Sequence, residues 1–418
     1  MVDFGAFVRA EAARGRLVVQ PRMGFSDPAT MRAGLAATRG AAARTVGTIT
    51  VDAHTRVGHL DAVATALREG IDLNGYPLVS HPPATTAQVL SGIQGEDFPV
   101  QVRHGSANPL DIFRALIPVR LGATEGGPVS YCLPYGRTPL AESVRNWQAG
   151  CELFARLRDT GMEPHLETFG GCMLGQLCPP GQLVAISVLE ALFFVQHGIR
   201  SVSVSYAQQT DPAQDREAIA ALRRLCRELL PAVDWHVVVY AYMGLYPETL
   251  DGAYRLLGQA AELAVAGGAQ RLIVKTASES RRIPTIDENV RALEYAAWAA
   301  GRAPSARAHD DADSRTYEEA TALVGAVLNL APDVGRALLL AFRRGYLDIP
   351  YCLHPDNRGD TRSFIDRDGR LRWESTGALP LRGSPRRGGG GRFTSADLLR
   401  DLSYMRRKFD NPMAVDMA

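Results

Sequence analysis

Lysine is almost missing from this sequence of 418 residues: of its 46 basic residues only Lys275 and Lys408 are Lys, and the other 44 are Arg. A lone Arg therefore says little, whereas a Lys marks a place where a compact, deprotonatable amine is wanted. Net charge is missing as well. The 45 acidic residues leave a balance of +1, which excludes a bulk field that would draw the protein to nucleic acid or anionic lipid. No apolar run approaches ~18 residues, so no membrane span is expected. The opening MVDFGAFVRAEAARGRL lacks the apolar core of a signal peptide, and a cytoplasmic chain is expected. The six cysteines, Cys132, Cys151, Cys172, Cys178, Cys226 and Cys352, form no C-x-x-C pair. Neither a disulfide framework nor a metal site is expected of them. What remains, 46% hydrophobic and 22% charged, has the balance of a globular enzyme rather than a disordered chain.

Eight β-branched runs alternate with helix-period stretches. The strands are expected at residues 45–55, 76–81, 100–105, 123–131, 165–170, 201–207, 234–243 and 271–276. Amphipathic helices are expected at 60–69, 139–160, 180–197, 212–230, 248–267 and 284–300, with weaker ones at 86–92 and 109–117. Pro139, Pro180, Pro212 and Pro284 stand where a first helical turn tolerates proline. Strands starting 23 to 42 residues apart, each followed by a helix, have the rhythm of an α/β fold of the (β/α)8 TIM-barrel type. A doubly wound open sheet is the alternative, but no G-x-G-x-x-G joins the first strand to its helix. The expected organisation is an N-terminal segment over 1–44, the barrel over 45–301, and a helical and irregular extension over 302–418. Within that extension, PRRGGGGR at 385–392 cannot hold regular structure.

Barrel active sites collect at the carboxyl ends of the strands. Reading those ends gives Arg22 in QPRMG, His54-Thr55-Arg56, Arg103-His104-Gly105, Glu125 with Tyr131 and Tyr135, Glu167, and Lys275 with Glu279. Guanidinium forks match carboxylates in bidentate geometry, so three Arg at one mouth make an anion clamp. Arg22, Arg56 and Arg103 together with Glu125, Tyr131 and Tyr135 suit a small molecule bearing two carboxylates and an ammonium group. Taken singly, each has an ordinary structural reading: a surface Arg, a structural carboxylate, a half-buried tyrosine. Asp52-Ala53-His54 starts like a cobalamin-ligating D-x-H-x-x-G run, but Gly58 falls one place late and the match is read as coincidence.

The strings QPRMGF, VDAHTRVG, LNGYP, QVRHGS, EGGPVSYCLPY, SYAQQTDPAQD and LIVKTASES, in that order, resemble the epsilon subunit of glutamate mutase, also called methylaspartate mutase. GYLDIPYC and DRDGRLRW carry the likeness toward the C-terminus, and it begins near Leu17, without the family's usual N-terminal arm. The resemblance implies a (β/α)8 barrel that works with adenosylcobalamin held on a separate small cobalamin-binding subunit. It implies interconversion of L-glutamate and (2S,3S)-3-methylaspartate by a radical carbon-skeleton rearrangement. By the same resemblance Arg22, Arg56 and Arg103 bind the amino-acid substrate, Glu125 meets its ammonium, and Tyr131 and Tyr135 contact it. Asn74, Lys275 and Glu279 fall near the adenosyl group. No stretch of this sequence is left for a cobalamin module, so the expected assembly is a homodimer of barrels with a small subunit over each mouth, a heterotetramer.

Four positions depart from the family pattern: Pro128 stands where a third glycine is expected, Cys132 where an Asn is expected, and Cys172 and Cys178 fall in a segment expected to be small or apolar. Two other functions are compatible with the residues. One is a cobalamin-independent lyase or aldolase forming a Schiff base through Lys275; the other is a mutase-like barrel that binds a ligand or partner without turnover.

Overall fold

Runs such as VQVR and SVSVSYA form strands because both of their faces are buried, inward against the barrel lumen and outward against helices. In the computed structural model, which describes residues 3–134, 136–173, 177–230, 232–304, 314–381 and 394–411, eight such strands lie parallel. They are β1 (Val18–Gln20), β2 (Gly47–Thr50), β3 (Val100–Arg103), β4 (Ala123–Gly126), β5 (His165–Thr168), β6 (Ser201–Ala207), β7 (Asp234–Tyr240) and β8 (Arg271–Ile273). From β2 to β8 each strand pairs with the next in sequence, and β1 pairs with β8. A parallel bridge between Val19 and Thr45, with Val19 N donating to Arg44 O at 2.9 Å, closes the sheet on itself. The fold is a (β/α)8 barrel.

Two strand expectations need correction. Residues 76–81 are not a strand: Tyr76 makes a single bridge to Val51, and Pro77 next to it has no N–H with which to continue a ladder. The missing member is β1, inside the 1–44 segment, so the sheet starts at Val18 rather than at residue 45. The helix expected at 180–197 runs over Pro180–Gln196, but it is buried on nearly every side rather than amphipathic. It is sandwiched between the barrel and the extension helices Arg315–Leu328 and Val334–Arg344. The extension adds a hairpin, β9 (Arg362–Ile365) and β10 (Leu371–Ser375), where irregular chain was expected, and the helices Ser395–Leu402 and Tyr404–Asp410. The 385–392 run lies outside the described residues. Among the described residues no helix is long and apolar enough to cross a membrane.

The lumen is polar. Side chains at alternate strand positions, Gln20, Gln101, Glu167, Ser203 and Arg271, meet at its centre. Arg271 Nη2 donates to Glu167 and, at 3.0 Å, to Ser203 Oγ; Gln101 Nε2 donates to Glu167 Oε2 at 3.2 Å. Phe4, from the N-terminal helix Phe4–Ala13, closes the amino end with its ring 4.9 Å below the Arg271 guanidinium. Arg271 and Glu167 are wholly buried, so removing one partner strands the other charge. Arg271→Met is expected to destabilise the fold by about 3–5 kcal/mol, read by urea unfolding. A loss under about 1 kcal/mol would mean that the pair is dispensable.

Candidate active site

Arg103 is the last residue of β3 and Glu125 lies in β4, so the parallel register sets them side by side facing into the lumen. Arg103 Nε donates to Glu125 Oε2 at 2.8 Å with both side chains buried. Tyr131 OH donates to Glu125 Oε1, and Tyr240 OH, from the end of β7, reaches Glu125 Oε2 at 2.7 Å and Glu167 Oε1 on its other side. Burial pushes the Glu125 carboxyl up, but the Arg103 charge and the hydrogen bonds from Arg103, Tyr131 and Tyr240 outweigh it and hold the group below the usual range. Glu125 is therefore an anion. Burial works against the Arg103 charge too, yet Glu125 and the two phenols raise its pKa well above the ordinary value.

Tyr131 returns to Glu125 because the chain turns back immediately after β4. Gly126, at φ +136°, makes that turn, and a Cβ there would lie 2.4 Å from the Trp147 ring and 2.5 Å from Tyr131. The departures from the family pattern fit into this loop. The Pro128 carbonyl accepts from Ser143 Oγ at 2.7 Å, and Cys132 Sγ donates to Thr138 O at 3.1 Å, with burial pushing its thiol up to about 12. Cys172 and Cys178 are buried thiols, and among the described residues no cluster of His, Cys, Asp and Glu could hold a metal ion.

The other sequence-predicted residues form two groups around this pair. Asp52 caps the short helix Ala53–Arg56, accepting from His54 N and Thr55 N at 2.9 Å, which gives the Asp-x-His run its structural job. Arg56 leaves that helix toward Gly105, lying against a position where a Cβ would be 3.1 Å from its Cδ, and its buried Nε has no hydrogen-bond partner among the described residues. Arg22, just past β1, pairs with Glu279 at 2.6 Å instead of standing free. Lys275 donates to Gly244 O at 3.3 Å and stacks 4.6 Å from the Tyr246 ring centroid; burial brings its amine down to about 8. Asn74 accepts from Ala53 N at 2.9 Å and lines a cavity of about 640 Å³ beside His54 and Ile71. Tyr135 lies outside the described residues.

The site also contains two residues to which the sequence reading gave no role. His104, next to Arg103, is buried and kept neutral by desolvation, with its pKa near about 3. Its Nδ1 accepts from Ser106 N at 3.1 Å, so the proton sits on Nε2, which is buried beside the Glu125 backbone. Tyr240 is the second. Its signal was slight: Tyr240 shares a face with His236 at period two, but Val238 between them interrupts any polar stripe. Arg22, Arg56, Arg103 and Lys275 face the carboxylates of Glu125 and Glu279, so the mouth holds a surplus of positive charge suited to an anionic ligand.

A family model described as "Methylaspartate mutase E chain (MutE)" matches residues 2–387. The chain is 29% identical over 349 residues to a "Glutamate mutase epsilon subunit" of Escherichia coli O157:H7, covering 79% of this chain and 72% of that one. It is 28% identical over 349 residues to the protein of the same name from Yersinia enterocolitica, with the same shares covered. The counterpart from Halobacterium salinarum is 28% identical over 344 residues, 79% of this chain and 71% of the relative.

Proposed function

This chain belongs to the methylaspartate mutase E chain family, and from that premise we propose that it is the barrel component of an adenosylcobalamin-dependent isomerase interconverting L-glutamate and (2S,3S)-3-methylaspartate. The observation that carries the reading is the buried Arg103–Glu125–Tyr131 contact, together with an Arg56 Nε that has no partner among the described residues. Arg56 and Arg103 hold the substrate carboxylates by guanidinium forks. Arg22 joins the clamp with its charge shared with Glu279. The Glu125 carboxylate receives the substrate ammonium, and Tyr131 fixes the direction of that carboxylate, with Tyr135 as a further substrate contact.

The cofactor, when bound, supplies the carbon radical that takes a hydrogen from the substrate. The residues at the mouth suit such a group. Lys275 and Glu279 offer a donor and an acceptor to the hydroxyls of a nucleoside, and Asn74 offers an amide at the same end of the barrel. Around them Val57, Ile71, Leu245 and Ile283, on the loops that follow β2, β7 and β8, leave large apolar side chains about half exposed. That rim supports a small cobalamin-binding subunit closing the mouth, with two barrels and two small subunits in the assembly. The work of this chain is to exclude water and hold one C–H bond in place before the hydrogen moves.

Calorimetric titration with L-glutamate tests the site. Binding that is lost in Arg56→Ala is expected; equal binding with and without Arg56 would remove the clamp from the account. One observation favours the lyase reading, namely the Lys275 amine lowered to about 8 by burial. Borohydride reduction in the presence of 2-oxo acids is expected to leave Lys275 unmodified, and a covalent adduct at Lys275 on mass spectrometry would install the Schiff-base reading instead.

A further inference from the structure

Glu190 is the single charged residue of the helix Pro180–Gln196, PGQLVAISVLEALFFVQ, and it is wholly buried. Its carboxylate accepts four hydrogen bonds. Val129 N at 3.2 Å and Ser130 N at 2.9 Å reach Oε1; Ser130 Oγ at 3.0 Å and Gly170 N at 2.8 Å reach Oε2. Among the described residues no cation pairs with it, so backbone and hydroxyl donors alone hold the group, and burial outweighs them and pushes its carboxyl up to about 7.

Those donors belong to the two loops that leave β4 and β5. The first loop is the turn in which Tyr131 N donates to Gly127 O at 3.2 Å and Leu133 N to Val129 O at 3.0 Å, and it carries Tyr131 back over Glu125. The second begins at Phe169, whose ring lies 4.9 Å from that of Tyr131 and 5.6 Å from that of Tyr240. Gly127 makes room for the carboxylate: a Cβ there would sit 1.9 Å from Glu190 Oε1. One side chain, entering from outside the barrel, thus fastens the two loops that frame the Glu125 pocket.

We propose that Glu190 is a positioning residue, tying the β4 and β5 loops together so that the Tyr131 hydroxyl meets Glu125 at a fixed distance and direction. Its link to catalysis rests on the reading of Glu125 and Tyr131 as the substrate site; its link to Tyr131 geometry does not. In its ionised form the carboxylate is acceptor-only and matches all four donors, whereas an amide in its place would turn an NH2 toward two of them.

The test uses the full chain with fluorotyrosine at position 131, read by fluorine NMR, and the same chain reconstituted with its small subunit and adenosylcobalamin. Glu190→Gln is expected to move the Tyr131 resonance toward the position it takes in Glu125→Gln, while fluorotyrosine at Tyr317, on the remote helix Arg315–Leu328, keeps its shift. In the complex, Glu190→Gln is expected to lower kcat by up to about 100-fold, the scale of a ~1 Å misplacement. Adding it to Tyr131→Phe should then cost little more than Tyr131→Phe alone. An unmoved resonance, or losses that multiply in the double variant, would overturn the proposal. If Glu190→Gln does not fold, Ser130→Ala carries the same test by removing one of the four donors and leaving the carboxylate. An unmodified complex without turnover, with the resonance still displaced by Glu190→Gln, would contradict the substrate-site reading while supporting the positioning role.

Discussion

Arg103→Lys is expected to lower kcat/KM by about 100-fold or more while leaving the chain folded. The substitution keeps the charge and removes the fork. Arg103 Nε is spent on Glu125 Oε2 at 2.8 Å, and among the described residues neither Nη atom has a partner, so the outer edge of the guanidinium is free for a substrate carboxylate. The plane also lies over the Tyr240 ring with its carbon 5.3 Å from the centroid, a contact that suits a flat cation. A lysine ammonium on a shorter, flexible stem can neutralise Glu125 or reach the substrate, but cannot hold both in one geometry. Measured in the reconstituted complex with L-glutamate, a loss under about threefold would take the Arg103 fork out of the account. A melting temperature close to that of the unmodified chain would show that the loss is not one of folding.

The second large effect is expected of Glu125→Gln, which should lower kcat by about 100-fold or more and raise KM much less. Three donors converge on this carboxylate, Arg103 Nε, Tyr131 OH and Tyr240 OH, and they keep it ionised in spite of its burial. The amide has one acceptor oxygen, so its NH2 would have to face at least one of those donors. It also removes the negative charge that meets the substrate ammonium and steadies it as bonds rearrange. The two Arg clamps on the carboxylates remain, which is why ground-state binding should suffer less than turnover. Equal effects on kcat and KM would make Glu125 a binding group only, and an unchanged kcat would exclude it from the reaction.

Much of the fold was legible in the β-branched runs and their spacing, because a (β/α)8 barrel repeats one unit that periodicity can count. Two strands show where the counting fails. β1 is only Val18–Gln20, too short to register as a run, and its pairing with β8 is a long-range event that no local pattern announces. Residues 76–81 carry apolar side chains at the expected place, but Pro77 ends the ladder after one bridge. Two misplacements thus left the number at eight.

The site was legible in part. Strand ends named Arg103 and Glu125, which the structure sets in contact, and Lys scarcity singled out Lys275, whose amine donates to Gly244 O. The same scarcity pointed equally to Lys408, which instead fastens the C-terminal helix by donating to Thr210 O at 3.2 Å. The pairing of Arg22 with Glu279 depends on two loops separated by almost the whole barrel, and spacing could not reveal it. The polar lumen left a better signal, with Gln101–Arg103, His165–Glu167 and Ser201–Ser203–Ser205 at period two. Those stripes say that the inward face is polar throughout. Glu190 had the plainest mark of all, a lone carboxylate in seventeen residues of uncharged helix. Its partners, three backbone amides and a hydroxyl, are of a kind that no side-chain pattern encodes.

The central claim is that this barrel turns L-glutamate into 3-methylaspartate in company with a cobalamin-bearing partner. The measurement that tests it most directly mixes the purified chain with a small cobalamin-binding subunit, adenosylcobalamin and L-glutamate, and follows (2S,3S)-3-methylaspartate by chiral mass spectrometry. The account predicts product that appears only when all four components are present and that falls away with Arg103→Lys. No product from a complex shown to assemble and to bind cobalamin, or product that persists without the cofactor, would contradict it.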